Sequence, residues 1–131
     1  MKAFLDTSGF YALVSSTDKF HVNARDAYES LILDDVPLYT SSYVLVESIA
    51  LIQRRLGYSV LKAFVESVTE VFSIIWVGEK IHRDAWALVE QRQGREFSFV
   101  DATTILIAKE IDAHVVTFDD SFKKVGIKTL P

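Results

Sequence analysis

Short, apolar, β-branched runs alternate with longer segments of helical periodicity along the whole chain. Such alternation implies right-handed crossovers between parallel strands, with helices covering both faces of the sheet. The sequence therefore predicts an α/β fold of three layers, α/β/α, with a central, mostly parallel sheet. The predicted strands are residues 3–5, 38–40, 73–77, 114–117 and 127–130, and the run 73–77 has the apolar composition of a buried strand.

The helical segments carry start and stop signals. The stretch SYVLVESIALIQRRLG follows Ser41, a good helix-starting residue, and stops at Gly57, a common helix-ending residue. No linker or internal repeat divides the chain, so we expect residues 1–131 to form a single domain. The predicted helices are residues 7–16, 20–33, 42–57, 60–71, 80–92 and 99–111.

The composition excludes several classes of protein. A net charge of −4 at pH 7 argues against a nonspecific nucleic-acid binder, and the absence of cysteine excludes disulfides and cysteine-ligated zinc. No apolar run approaches the length of a membrane span, and Asp6 interrupts the N-terminal run that would otherwise resemble a signal peptide. We therefore expect a soluble, cytoplasmic protein with no membrane association.

Two predicted strands end in carboxylates. The stretch KAFLDTSGF places Asp6 after the first strand, and VVTFDDSF places Asp119 and Asp120 after the strand 114–117. In an open parallel sheet, ligands bind at the edge formed by the C-terminal ends of the strands. Asp6 and Asp119 are therefore predicted to share that edge.

Two further acids lie on predicted helices beside apolar residues. Glu47 is three or four residues from Val44 and Leu51, and Asp101 is four residues before Ile105. A lone carboxylate on an apolar face costs several kcal/mol unless it is paired or coordinated. Four converging acids would repel one another, and a divalent cation removes that conflict. Ligands that are all oxygen favour Mg²⁺ or Mn²⁺ over zinc.

Each acid also has a purely structural explanation. Asp6 and Asp119 could cap the helix or turn that follows, and the sequence before Asp101 has the capping-box form S-x-x-D. Glu47 is too far inside its helix to cap it, so its alternative is a buried ion pair with an arginine of the QRR run at 53–55.

Four motifs together resemble a known family. The stretches LDTSGFYAL, VLVES, SFVDATTILIA and VVTFDDSF resemble the PIN-domain ribonucleases, and are most similar to the VapC-type toxins of VapBC toxin–antitoxin pairs. The resemblance spans essentially the whole chain in the family's order. It implies a PIN-like fold and a metal-dependent endoribonuclease that hydrolyses RNA phosphodiester bonds. It also implies a homodimer and inhibition by a cognate antitoxin protein.

The resemblance assigns roles to individual acids. Asp6, Glu47, Asp101 and Asp119 match the family's catalytic and metal-binding carboxylates, with Asp120 as an alternative or assisting ligand. The implied cofactor is Mg²⁺ or Mn²⁺, which lowers the pKa of a bound water. Attack by water predicts products with a 5′-phosphate and a 3′-hydroxyl.

The resemblance and the site's charge suggest supporting residues. Thr7 and Thr117 match hydroxyl positions that support the acidic cluster. Because an acidic pocket repels phosphate, basic side chains must flank it. The candidates for RNA binding are Arg92, Arg95, Lys123 and Lys124, each of which could equally be an ordinary solvated charge.

Two other functions compete with the nuclease. Phosphotransfer domains also place acids at strand ends, but Asp6 lacks the second aspartate two residues on that a haloacid-dehalogenase-type phosphatase needs. The second alternative is a non-catalytic PIN-like module that binds a protein partner or RNA. Aromatic side chains of the first helices would suit such contacts, and Phe10, Tyr11 and Phe122 could also stack bases or belong to the core.

Overall fold

The computed structural model describes all 131 residues, which form five strands and seven helices. The strands are β1 (Ala3–Leu5), β2 (Leu38–Ser41), β3 (Ser73–Ile75), β4 (His114–Val116) and β5 (Thr129–Leu130). The helices are α1 (Thr7–Val14), α2 (His21–Leu33), α3 (Ser42–Leu56), α4 (Tyr58–Val71), α5 (Glu79–Gln91), α6 (Phe99–Ile111) and α7 (Ser121–Lys124).

All strands belong to one parallel sheet in the order β3-β2-β1-β4-β5. The chain moves outward from β1 to β3, and then crosses to β4 and β5 on the other side of β1. With right-handed crossovers, α1 to α4 cover one face, and α5 to α7 cover the other. The predicted three-layer α/β/α fold is confirmed. None of the seven helices is both long enough and apolar enough to cross a bilayer.

The core lies on the two central strands. Phe4 and Leu5 of β1 and Val115 and Val116 of β4 are at most 2% exposed. Strands buried on both faces consist of continuous apolar residues, as these do. Because β1 and β4 are neighbours, the residues that follow their C-terminal ends are brought together at one edge of the sheet.

Two predictions about the strands need correction. The run 73–77 forms an edge strand that is only half-buried and ends at Ile75, and Trp76 is 75% exposed. An apolar run cannot reveal whether its strand lies at the edge or at the centre of a sheet. In addition, the turn predicted after β4 contains the short helix α7, which is too short to show helical periodicity.

Gly9 allows α1 to pack closely against β4. A Cβ at this position would lie 2.5 Å from the carbonyl oxygen of Val116, a contact that real side chains do not make. Gly9 also donates its backbone N–H to Oδ1 of Asp6 (2.8 Å). The absence of a side chain therefore determines how α1 sits beside the two central strands.

We predict that Gly9→Ser lowers the free energy of unfolding by about 1–3 kcal/mol, the usual cost of forcing extra atoms into a packed site. The matched control is Gly78→Ser, because the space around Gly78 is open and serine is a favourable N-cap residue there. Urea denaturation of both variants measures the difference. Equal stability of the two variants would contradict the packing argument.

Candidate active site

A cavity of about 420 Å³ opens at the C-terminal edge of the sheet. The loops after β1 and β4, the helix α3 and the start of α6 surround it. The acids Asp6, Glu47, Asp101 and Asp119 all line it, and Asp120 does not. The remaining lining residues are Thr7, Ser8, Tyr11, Asp18, Lys19, Phe20, Leu51, Ser98 and Phe118.

Asp6 is the most constrained of the four acids. It is 4% exposed and caps α1, because its Oδ1 accepts hydrogen bonds from the Gly9 N–H (2.8 Å) and the Ser8 hydroxyl (2.9 Å). Its Oδ2 accepts a hydrogen bond from the Thr117 hydroxyl (2.6 Å). Asp6 is therefore the N-cap of α1, as its structural explanation predicts, and its carboxylate also lines the cavity.

Burial raises the pKa of Asp6 from 3.8 to about 7, because desolvation disfavours the ionised form. The hydrogen bonds from Thr117, Gly9 and Ser8 act in the opposite direction, and the negative charge of Asp101 adds to the rise. In the absence of a cation, the folded protein therefore holds a proton at Asp6 up to about neutral pH.

Asp101 begins α6 in a capping box with Ser98. Each backbone N–H donates to the other residue's side chain, both at 3.1 Å. Partial burial raises the pKa of Asp101, the bonds to Ser98 lower it, and the charges of Asp119 and Glu47 raise it again. Only Oδ2 of Asp101 takes part in the box, so Oδ1 remains free of protein donors.

Glu47 is half-buried on α3 and makes no hydrogen bond or ion pair with any side chain. The alternative of an ion pair with a neighbouring arginine is therefore wrong. Arg55 instead lies over the ring of Tyr11, with its guanidinium carbon 5.5 Å from the ring centroid. The face of α3 that carries Glu47 and Leu51 borders the cavity.

The two adjacent aspartates after β4 differ in position. Asp119 faces the cavity, and its Oδ1 accepts a hydrogen bond from the Ser121 N–H (2.9 Å). Asp120 is exposed and precedes α7 without capping it by a side-chain bond. The geometry therefore favours Asp119 over Asp120 as the fourth acid of the cavity.

The hydroxyl groups around the acids include one that the sequence did not suggest. Thr117 bonds Asp6 as described, whereas the hydroxyl of Thr7 is buried without any hydrogen-bond partner. The additional hydroxyl is that of Ser8, whose Oγ donates to Asp6, lies 3.1 Å from Oγ1 of Thr117 and accepts the Phe118 N–H (3.0 Å). The sequence D-T-S contained no signal that distinguished the serine from the threonine.

None of the four basic residues predicted to bind RNA lines the cavity. Arg92 pairs with Glu96 (2.7 Å), Arg95 bonds Gln93 (2.6 Å), and Lys123 and Lys124 are exposed on α7. The one cation among the lining residues is Lys19, which the sequence analysis missed. The contribution of the other four to RNA binding stays a prediction.

The residues of the cavity fit a divalent cation that prefers oxygen ligands. No lysine or arginine pairs with any of the four acids, and the Thr7 hydroxyl is buried without a partner. Side-chain oxygens of this kind are the ligands of Mg²⁺ and Mn²⁺. As they stand, no three of the acids are close enough together to hold one ion, so a shared ion requires side-chain rotation.

Comparison with known proteins gives the family. The model of the PIN domain matches residues 3–128, so the chain belongs to the PIN domain family. A relative is the 23S rRNA-specific endonuclease VapC20 of Mycobacterium tuberculosis, which is 29% identical over 94% of this chain and 93% of its own. The VapC ribonuclease of Archaeoglobus fulgidus is 25% identical over 93% of this chain and 80% of its own.

Solved structures show the same architecture. The crystal structure of VapC20 of Mycobacterium tuberculosis, described as a Sarcin-Ricin loop cleaving toxin, has a TM-score of 0.83 at 28% identity over 96% of both chains. VapBC2 of Rickettsia felis, bound to a DNA fragment of its promoter, has a TM-score of 0.74 at 17% identity, covering 98% of this chain and 97% of the matched chain. At that identity, the second likeness concerns the fold alone.

We predict that Asp6→Asn stabilises the protein against urea at pH 8 in EDTA. The folded wild type binds more protons than the unfolded chain between pH 3.8 and about 7, so its stability falls across that range and stays low above it. The difference between the two pKa values of Asp6 corresponds to about 4 kcal/mol in the free energy of unfolding. Asparagine carries no charge to bury.

The gain in the free energy of unfolding that Asp6→Asn gives over the wild type should therefore be largest at pH 8 and decrease toward pH 4. Asp120→Asn is the matched control, because Asp120 is exposed and lies outside the cavity. An advantage of the same size at both pH values would contradict the role of burial.

Proposed function

We propose that this chain is a metal-dependent endoribonuclease that hydrolyses RNA phosphodiester bonds, and that it is the toxin of a toxin–antitoxin pair acting in the cytoplasm. The observation that carries the proposal is the cavity lined by five carboxylates, those of the four predicted acids and of Asp18, none of which forms an ion pair, in a chain of the PIN domain family. The names of the relatives VapC20 and VapC ribonuclease support the same activity.

Asp6, Asp101 and Asp119 are the proposed ligands of a Mg²⁺ or Mn²⁺ ion, and Glu47 completes the site directly or through water. An ion bound there lowers the pKa of a water molecule and offsets the negative charge of the scissile phosphate. Asp101 has its Oδ1 free, and Asp119 has its Oδ2 free. Asp6 has one spare lone pair, on Oδ2, because each carboxylate oxygen can accept two hydrogen bonds and Oδ1 already accepts two.

Glu47 is the proposed proton acceptor. Neither of its carboxylate oxygens accepts a hydrogen bond from the protein, so both can face the substrate or water. Water attacks the phosphorus and passes its proton to Glu47, the bond from phosphorus to O3′ breaks, and O3′ takes a proton from solvent. The products therefore carry a 5′-phosphate and a 3′-hydroxyl.

Hydroxyl and backbone groups keep the charge of Asp6 in place during the reaction. Ser8, Thr117 and the Gly9 N–H hold both of its oxygens at fixed positions. Such fixed donors cost no reorganisation when charge develops on the phosphate.

We predict that Glu47→Gln and Asp101→Asn each lower cleavage of 23S rRNA by about a hundredfold or more. Both substitutions conserve shape, and asparagine at position 101 can still accept the Ser98 N–H of the capping box. The assay compares Mg²⁺, Mn²⁺ and EDTA. Asp119→Asn and Asp120→Asn form a matched pair of neighbours, of which only Asp119→Asn should lose activity.

A second measurement is independent of turnover. Mg²⁺ or Mn²⁺ should raise the melting temperature of the wild type, and less so in Asp101→Asn. Cleavage that persists in EDTA, or that survives both substitutions, would refute the metal-dependent nuclease. A wild type that neither cleaves nor binds metal would favour the non-catalytic PIN-like module.

The proposed docking site of the antitoxin is an apolar groove. A groove of about 490 Å³ lies between α1, α2 and α4, away from the acids, and nine of its eleven lining residues are hydrophobic. Leu13, Tyr28 and Val60 are partly buried on its walls. An apolar helix is the partner that such a groove suits. A homodimer is also proposed, on the family resemblance alone.

We predict that Ala63→Arg weakens capture of the cognate antitoxin by at least tenfold, because Ala63 lies on the wall of the groove and a long charged side chain would block it. Cleavage of RNA by the isolated variant should be unchanged. Ser30→Arg is the control, since Ser30 is exposed on α2 outside the groove. If Ala63→Arg co-purifies with the antitoxin as well as the wild type does, the antitoxin binds outside this groove.

A further inference from the structure

Two phenylalanine rings line the acidic cavity beside the carboxylates. Phe20 and Phe118 stack with their ring centroids 4.6 Å apart and their planes 7° from parallel. Both are only partly buried. Neither belongs to the core cluster or to the apolar residues packed against it. A partly exposed aromatic pair in a cavity where nine of the thirteen lining residues are not hydrophobic is typical of a binding surface, because packing does not require it there.

The two rings come from separate loops, and each is anchored through its own backbone N–H. The Phe20 N–H donates to the Asp18 side chain (2.9 Å), and the Phe118 N–H donates to Oγ of Ser8 (3.0 Å). The same Ser8 hydroxyl contacts Asp6. The position of the ring pair is thus tied directly to the carboxylate at the centre of the cavity.

A cation lies on this aromatic surface. The ammonium of Lys19 is 5.0 Å from the centroid of the Phe20 ring. Because Phe118 occupies one face of that ring, Lys19 covers the other. A cation–π contact at an exposed site is weak, so another group can displace it readily.

We propose that Phe20, Phe118 and Lys19 form a nucleotide subsite that positions RNA for the acids, an inference that rests on the proposed nuclease function. An unpaired base stacks on the free face of Phe20 in place of the ammonium, and Lys19 contacts the adjacent phosphate. Proteins recognise the unpaired bases of single strands and loops by stacking them on aromatic side chains. Bases inside a duplex are already stacked on one another and are inaccessible to such a ring. The substrate class is therefore RNA with an unpaired nucleotide next to the cleaved bond.

The negative charge of the cavity also favours a subsite that binds RNA by stacking. The five carboxylates that line the cavity, Asp18 included, repel an approaching phosphate, and Lys19 is the one cation among the lining residues. Stacking supplies binding energy that does not depend on charge, which lets the substrate approach an acidic surface. Phe20, Phe118 and Lys19 are positioning residues in this proposal, because none of them acts on the reacting atoms.

The test measures binding apart from cleavage. Short single-stranded RNAs that carry 2-aminopurine are titrated against Asp101→Asn protein, with and without Phe20→Leu or Phe118→Leu. Leucine keeps an apolar side chain but removes the ring, and melting curves confirm folding. We expect quenching of 2-aminopurine fluorescence with the phenylalanines present, its loss in the leucine variants, and binding weakened roughly 5- to 150-fold.

Matched controls separate stacking from general effects. Tyr58→Leu removes an aromatic side chain that is 74% exposed and lies outside the cavity, and it should change nothing. Annealing the RNA to its complement should abolish the quenching. Lys19→Gln should reduce the slope of log affinity against log salt by about 0.7, and Lys62→Gln should not.

The outcomes distinguish this proposal from the nuclease itself. Cleavage and binding that are unchanged in Phe20→Leu and Phe118→Leu would overturn the subsite and leave the nuclease standing. Quenching that depends on both rings, in a wild type that never cleaves RNA, would support the subsite and refute the nuclease. Equal quenching by single-stranded and duplex RNA would overturn the preference for an unpaired base.

Discussion

The burial of the Asp6 carboxylate at the end of β1 is the constraint on which the site depends. One side chain accepts hydrogen bonds from Gly9, Ser8 and Thr117, and thereby joins the first strand, the first helix and the loop after β4. Desolvation opposes this arrangement and raises the pKa of Asp6 to about 7. The hydrogen bonds reduce that cost without removing it, so the fold keeps a carboxylate where its charge is disfavoured.

The other acids increase this conflict. Asp101 raises the pKa of Asp6, and the charges of Asp119 and Glu47 raise the pKa of Asp101, yet no lysine or arginine pairs with any of them. A protein selected for stability alone would place a cation among these side chains or replace them. Retaining unpaired charge in a cavity is the usual compromise of a functional site, in which a ligand rather than the protein relieves the repulsion.

The fold and the acids could be predicted from the sequence because both follow from general rules. Apolar runs define the strands, and residues that follow parallel strands meet at one edge, which brings Asp6 and Asp119 together. The contacts of the loops could not be predicted. Phe20 and Phe118 stack because Asp18 and Ser8 fix their backbones, and the second of these bonds joins residues 110 positions apart. The aromatic residues that the sequence suggested for stacking or for the core were Phe10, Tyr11 and Phe122. Phe10 and Phe122 are buried, and Tyr11 lines the cavity.

The short helix α1 lies between the acidic cavity and the apolar groove. Along α1, Thr7, Ser8 and Tyr11 border the acids, whereas Phe10 and Leu13 border the apolar groove. The spacing is that of two faces of one helix. The N-terminus of the same helix is fixed to the Asp6 carboxylate through Gly9 and Ser8. Any occupant of the groove that displaced α1 would therefore also change the hydrogen bonds that hold Asp6. The fold thus connects the groove to the acids through α1, which borders both.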